Sequence, residues 1–172
     1  MPGPLEGVKV LSLAQHLAGP FCTMLLCDLG AEVIKIEPPG KEDSARENFP
    51  FIDGISSYFL SINRGQNSIT LNLRDERAKK IVFELVKQVD ILVENYRPGV
   101  MKRLGLSYEV ISERNPKLIY ASISGFGQKG PYALKPAFDM IAQGMGGTVS
   151  ITGEPGRPPV RVGYSTGDMG AG

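Results

Sequence analysis

Two hydrophobic periods alternate along this chain. VKVLSL (8–13) is a short run of branched apolar residues that reads as a buried strand. The loop AQHLAGP follows, then an apolar helical stretch, FCTMLLCDLGA, that ends at Gly30. EVIKIE (32–37) reads as a second strand. A strand, turn, helix and strand within about 30 residues has the length of a parallel crossover. Its right-handed form places the first loop and the end of the second strand on one edge of the sheet. The segment 38–57 is polar and reads as a long surface excursion, and NSITLNL (67–73) alternates as a strand does. In 74–89, Ala78, Ile81, Val82, Leu85 and Val89 recur at helical spacing, and DILVENY (90–96) is another strand. RPGVMKRLGL predicts a helix with Pro98 near its start and Gly105 near its end. SYEVISERN opens with a Ser, and its Glu109 completes a partial N-cap signal. KLIYASISGFG (117–127) is a strand running into glycines; from 128 onward Gly, Pro and small polar residues dominate, apart from a helix over 138–147.

Strands alternating with helices predict an α/β fold, a Rossmann-like, mostly parallel sheet with flanking helices. Ligands of such sheets sit outside the carboxyl ends of the strands. Four loops then share one rim: 14–20, 37–46, 94–103 and 124–136.

Composition narrows the class. With 42% apolar and 22% charged residues in 172, one globular domain with a real core is expected, and disordered or collagen-like chains are excluded. Nineteen Lys and Arg against 18 Asp and Glu leave a net charge of +1, so no overall field points to nucleic acid or to a membrane surface. Any anion site must be local. The N-terminal residues carry no secretory pattern, and no run approaches the ~20 apolar residues of a membrane span. A soluble, cytoplasmic protein is the expectation. Cys22 and Cys27, on nearly opposite sides of one predicted helix, read as reduced core thiols. His16 is the single histidine, so no multi-His metal site is expected.

The loop AQHLAGP joins a strand to a helix N-terminus, where N–H groups meet a phosphate or carboxylate; it is equally a tight turn shaped by Gly19 and Pro20. It matches a dinucleotide G-x-G-x-x-G fingerprint poorly, and Glu37 in the place of a ribose-binding acid adds little, so NAD chemistry is not expected. Arg74, Arg97, Arg103 and Lys129 or Lys135 are each ordinary surface cations taken singly, and together on converging loops would suit a polyphosphate. Asp168, in GYSTGDMGAG, is open to two readings: a turn or N-cap residue, or a covalent nucleophile with small neighbours that admit a bulky substrate.

In order and spacing, from Leu5 to Gly172, the blocks GVKVLSLAQHLAGPFCTMLLCDLGAEVIKIEPP, SITLNLR, DILVENYRPGVMKRLGLSYEVI, NPKLIYASISGFGQKGPY, FDMIAQGMGG and GEPGRPPVRVGYSTGDMGAG resemble the class III CoA transferases, the family of formyl-CoA transferase and its carnitine and bile-acid relatives. The resemblance implies CoA transfer from an acyl-CoA to a carboxylic acid, with CoA as substrate and no permanently bound cofactor. Asp168 falls on the family nucleophile. It would attack the thioester to give a mixed anhydride, and the returning CoA thiolate would make an aspartyl-CoA thioester that an incoming acid resolves through a second anhydride. The glycines would leave room for the thioester, and nearby backbone N–H groups would serve as oxyanion donors.

Carried over by position, His16, Leu17 and Ala18 lie beside the pantetheine and nucleophile, with Leu17 where formyl-CoA transferase has Gln. Leu71, Asn72, Leu73 and Arg74, with Asn95, Tyr96 and Arg97, match the adenine and ribose-phosphate site; Arg103 matches a phosphate-binding Arg, and Lys135 falls one place from a family lysine. Pro38 replaces a basic residue of some relatives. The related α-methylacyl-CoA racemases need a His before an Asp as a proton carrier, where this chain has Phe138 before Asp139. A non-catalytic CoA- or nucleotide-binding module is the remaining alternative. Members of the family are longer and form interlocked homodimers. The resemblance therefore implies that 1–172 is the N-terminal CoA-binding part of that fold, lacking the later domain, the return segment and the glycine-rich loop over the nucleophile. Alone it is expected to be inactive and, with core surface bared, to associate.

Overall fold

A computed structural model describes residues 3–172. The first crossover forms as the pattern predicts: β1 (Lys9–Ser12), α1 (Ala18–Asp28) and β2 (Glu32–Glu37). A hairpin of β3 (Phe51–Ile52) and β4 (Ile55–Ser56) leads into α2 (Ser57–Asn63), β5 (Asn67–Thr70) and α3 (Glu76–Val86). There follow β6 (Ile91–Glu94), α4 (Val100–Arg103), α5 (Tyr108–Ser112), β7 (Ile119–Ser122), α6 (Asp139–Met145) and α7 (Thr166–Ala171). Five strands pair in parallel in the order β5-β2-β1-β6-β7. The sheet grows one way from β1 to β5 and the other way from β6 to β7. The two directions part between β1 and β6, and there the loops diverge to leave a crevice at the carboxyl ends.

Alternation along the strands sorts the core. Leu11, Leu13, Ile36 and Leu92 face Val82 and Val86 of α3, with Met101, Leu106 and Ile111, on one side. Val10, Ala14, Val33 and Val93 face α1 on the other. α1 can lie this close to the sheet because residue 19 has no side chain: a Cβ there would stand 2.3 Å from the Cβ of Ala14. The helix closes where expected, with Gly30 at φ 105° and its N–H bonded to Cys27 O. Asp75 caps α3 by accepting from Arg77 N at 2.8 Å. Ser107 stands at the N-cap of α5, but its side chain makes no capping hydrogen bond. Cys22 and Cys27 are free and half-buried, and both pack on the α1-facing cluster rather than on opposite sides. Burial raises both thiols, which keeps them in the unreactive protonated form.

The segment 38–57 is more ordered than a surface excursion. A 3-10 turn over Ser44–Glu47 begins at Asp43, and Ser56 caps α2 by accepting from Phe59 N while donating to Ala45 O and Asn48 O. Asp43, Ala45 and Ser56 are buried. Polar residues read as surface by hydropathy go inside here because each has its hydrogen bonds met.

Glu37, buried at the end of β2, receives both arms of Arg46 at 2.9 and 2.7 Å, the Ser68 hydroxyl at 2.5 Å and the Asp43 N–H at 3.0 Å. Burial pushes its carboxyl up, but these four donors prevail and hold it at about 2, against an ordinary value of 4.5. A depressed carboxyl stabilises the fold above its unfolded pKa, and that stability is lost as pH falls through the folded value. Acid unfolding between pH 4.5 and about 2 should therefore become shallower in Glu37→Gln, measured by circular dichroism across that window.

Candidate active site

At the crevice between β1 and β6 lies a cavity of about 500 Å³. Its wall takes residues from all four loops predicted to share the rim: Gln15 to Ala18, Ser44, Asn95 to Pro98, and 123–125 with Ala133 and 135–137. Asp168 closes it from α7, with Phe138 and Ala142 beside it.

The first loop is clamped on both sides. Asn95, at the end of β6, accepts from Gln15 N at 2.8 Å and donates to Gln15 O at 2.7 Å, so its amide acts as a short strand against the loop. His16 takes a left-handed backbone, φ 68°, and its N–H donates to buried Asp43 at 2.9 Å. Leu17 and Ala18 then open α1, whose first N–H groups have no partner within the helix and whose dipole carries partial positive charge toward the cavity.

Asp168 is half-buried in α7, a helix rather than a turn. Burial raises its carboxyl above the ordinary value, the nearby Asp139 charge raises it further, and His16 opposes them. Asp139, which enters the sequence analysis only beside Phe138 and with no role, proves central here. It sits buried at the start of α6, and its Oδ1 accepts from Gly167 N at 2.8 Å and Asp168 N at 3.4 Å. Its Oδ2 accepts from Gln143 Nε2 at 2.7 Å. Asp139 thus fastens the first turn of α7 and aims Asp168 into the cavity.

Those bonds alter the expected use of the neighbouring backbone. The N–H groups of Gly167 and Asp168 are committed to Asp139, and that of Met169 to Ser165 O. The oxyanion donors expected beside Asp168 are therefore not these. The glycines have a packing role as well: a Cβ on Gly167 would come within 2.8 Å of the Ala142 Cβ, and one on Gly172 within 2.3 Å of Ala18 O. They let α7 lie against α6 and α1.

Tyr58, on α2, was not singled out from sequence either. Its ring stands 5.8 Å from that of His16, and burial, the Asp168 charge and the Asp43 charge push its hydroxyl up to about 12. A signal existed for these buried polar positions only at Lys35, a charge inside the otherwise apolar core of EVIKIE.

Of the residues singled out from sequence, His16, Leu17, Ala18, Asn95, Tyr96, Arg97, Lys135 and Asp168 all line the cavity. Lys135 holds its ammonium 4.1 Å from the Tyr132 ring centre. Leu71, Asn72, Leu73, Arg74 and Arg103 lie outside the lining. Leu71 and Leu73 pack with Tyr96 and Leu104 on one core cluster, which brings the two segments to the same side of the sheet. Asn72, Arg74 and Arg103 are exposed. No group of His, Cys, Asp and Glu among the described residues is placed to hold a metal ion.

One pH effect follows from the Asp139–Asp168 pair. Because Asp139 raises the Asp168 carboxyl, Asp139→Asn should lower it, and any reaction that needs the Asp168 carboxylate should keep its rate to lower pH. The acid limb of the pH–rate profile is the measurement; an unmoved limb would show that the two carboxyls do not interact.

Comparison with known proteins is in keeping with this geometry. The family model described as CoA-transferase family III matches residues 5–172. The chain is 53% identical over 161 residues to the acetyl-CoA:oxalate CoA-transferase of Acetobacter aceti, an alignment covering 94% of this chain and 41% of that protein. It is 48% identical over 170 residues to the succinyl-CoA:glutarate CoA-transferase of Mus musculus, covering 98% of this chain and 39% of the relative. The crystal structure of a CAIB/BAIF family protein from Brucella suis superposes with a TM-score of 0.93 at 43% identity, over 98% of this chain and 46% of that one. The chain spans about two fifths of the length of the curated relatives it matches. From Leu5 to Gly172, in sequence and in fold, the chain belongs to CoA-transferase family III.

Proposed function

We propose that this chain is the N-terminal, CoA-binding part of an enzyme that moves CoA from an acyl-CoA to a carboxylic acid, with Asp168 as nucleophile. One observation carries the reading: a half-buried carboxylate of raised basicity stands on the wall of a cavity at the sheet's switch point, beside the positive end of α1. The Asp168 carboxylate attacks the thioester carbonyl, the C–S bond breaks, and an acyl-aspartyl anhydride and CoA thiolate result. The thiolate attacks the aspartyl carbonyl and expels the donor acid, leaving an aspartyl-CoA thioester. The acceptor carboxylate attacks that carbonyl to give a second anhydride and free thiolate. Attack of the thiolate on the acceptor's acyl carbon forms the product and restores Asp168. Each step exchanges one acyl bond for another of similar reactivity, which is what covalent catalysis supplies.

The pantetheine arm lies along His16, Leu17 and Ala18, and the nucleotide end reaches out of the cavity toward Arg97, Leu71 to Arg74 and Arg103. The two relatives are named for oxalate and glutarate, both short dicarboxylates. A short dicarboxylic acid is accordingly the proposed acceptor, with Arg97 and Lys135 as the cations on the wall that would meet its second carboxylate. Proton transfer of the racemase kind is disfavoured by Phe138, which occupies the place of the second proton carrier. An interlocked homodimer of the whole enzyme would cover apolar side chains exposed beyond β7, among them Leu134, Phe138, Met145 and Ile151. No helix among the described residues is long and apolar enough to cross a membrane, and a cytoplasmic setting remains part of the proposal.

The test is trapping. The full-length protein is incubated with acyl-CoA, quenched with hydroxylamine and mapped by mass spectrometry. Modification at Asp168 is the expected result; an unmodified Asp168 under conditions of measured CoA binding would leave only a binding module. Arg103→Ala should weaken CoA binding by about 1.5–3 kcal/mol, the scale of a charge-assisted contact, without preventing trapping at saturating substrate. Calorimetric titration with CoA reads this directly.

A further inference from the structure

The charged cluster behind the first loop has no part in the chemistry above. Lys35 and Asp43 are both buried, and Lys35 Nζ donates to Asp43 Oδ2 at 2.5 Å and to Asn63 Oδ1 at 2.6 Å. Asp43 also donates its own N–H to buried Glu37 at 3.0 Å. An ion pair buried in this way is commonly no more stabilising than apolar side chains of the same volume, so stability alone does not explain its place. The remaining oxygen of Asp43 shows what the pair faces. Oδ1 accepts from Ala45 N at 2.9 Å and from His16 N at 2.9 Å, across 27 positions of sequence.

His16 is the residue at which outside support is needed. Its φ of 68° lies in the left-handed region that L-residues with a Cβ seldom adopt, and such a backbone persists where its surroundings over-determine it. Asn95 holds Gln15 on one side, and Asp43 is the group that holds His16 itself. The loop so shaped carries His16 onto the same cavity wall as Asp168. His16 lowers the Asp168 carboxyl against the two influences that raise it, which places the imidazole within electrostatic reach of the nucleophile.

We propose that Asp43, locked in place by the buried ammonium of Lys35, is a positioning residue for the transfer reaction, holding His16 in its left-handed backbone so that the first loop faces Asp168. The inference rests on the reading of Asp168 as the nucleophile.

A double-mutant cycle between residues 43 and 16 tests it in the full-length enzyme. Asp43→Ala, His16→Gly and the double variant are compared for kcat, for KM toward acyl-CoA, and for the rate of hydroxylamine-trapped adduct at Asp168. Thermal melts run alongside identify the temperature at which each is folded. Asp43→Ala should lower kcat and the trapping rate together, by about 10- to 100-fold, as small misplacements do, with a smaller change in KM. Glycine adopts positive φ without support, so in the His16→Gly background the same substitution should cost under about threefold. Asp43→Asn repeats the cycle at nearly constant volume should the alanine variant fail to fold, since its amide must turn an N–H toward either Lys35 or His16. Equal losses in both backgrounds would overturn the proposal, as would trapping at the wild-type rate in Asp43→Ala and Asp43→Asn. If the wild-type enzyme itself yields no Asp168 adduct, the nucleophile reading fails and the proposal falls with it; an adduct in the wild type with additive losses sinks the positioning role alone.

Discussion

In the full-length enzyme, Asp168→Ala is expected to lower the proposed CoA transfer by about four orders of magnitude or more, the usual scale for loss of a covalent nucleophile. CoA affinity should change by less than about threefold, because the groups proposed to hold CoA lie on the loop into α1, on the loops after β5 and β6, and on α4. The same substitution should leave the protein at least as thermostable as before. The Asp168 carboxyl is raised by burial and by Asp139, so the folded state disfavours its charge and loses nothing by its removal. The backbone bonds from Gly167 and Asp168 to Asp139 do not involve the Asp168 side chain and survive the change. Steady-state kinetics, calorimetry and a thermal melt on one preparation check all three results. Loss of activity together with a lower Tm would instead make Asp168 a structural residue. Retention of more than about one tenth of the activity would exclude a covalent role.

The second large effect is on stability. Lys35→Met is expected to destabilise the domain by about 3–5 kcal/mol, because it leaves Asp43 charged, buried and without its cation. For a domain of this size that is a fall in Tm of about 6–20 °C. Burial lowers the Lys35 ammonium, while Asp43 and Glu37 oppose the shift, so the cation depends on its anions as they depend on it. Removing both charges, in Lys35→Met with Asp43→Asn, should cost less than Lys35→Met alone, since anion and cation leave together. Thermal melts of the two variants at neutral pH decide between this account and one in which Lys35 is merely a long apolar stem.

Much of the fold was legible before the structure. EVIKIE predicts β2 to the residue, and the apolar spacing of Ala78, Val82 and Leu85 predicts α3, because one face of each element must be buried and its period is written locally. The rim of four loops follows from the handedness of parallel crossovers, and all four do meet at the cavity. Within 38–57, which is mostly exposed as expected, three positions go inside against their surroundings for a physical reason. Hydropathy assigns Asp43 and Ser56 to water, yet both are buried by hydrogen bonds to groups that only the fold brings near.

The candidate site divides in the same way. Asp168 and the loop from His16 to Ala18 stood out through ordered blocks of sequence, a linear signal that runs the length of the chain. Asp139 lies in one of those blocks too, but nothing there told its structural task. Its task is to accept from Gly167, 28 positions later, and an acid at a helix start is ordinarily only a favourable first-turn charge.

By itself, then, the sequence determined the order of the five sheet strands and of α1 and α3 to α6, the parallel sheet with its shared rim, and the family whose blocks the chain carries. Each of these depends on periodicity or on block order along the chain. Only the tertiary structure decided which charges are buried and what they hold: Lys35 against Asp43, Asp43 against the strained His16, and Asp139 against the helix that bears Asp168. A charge can leave water only where partners replace it, and those partners are chosen by the folding of distant segments, not by neighbours in sequence.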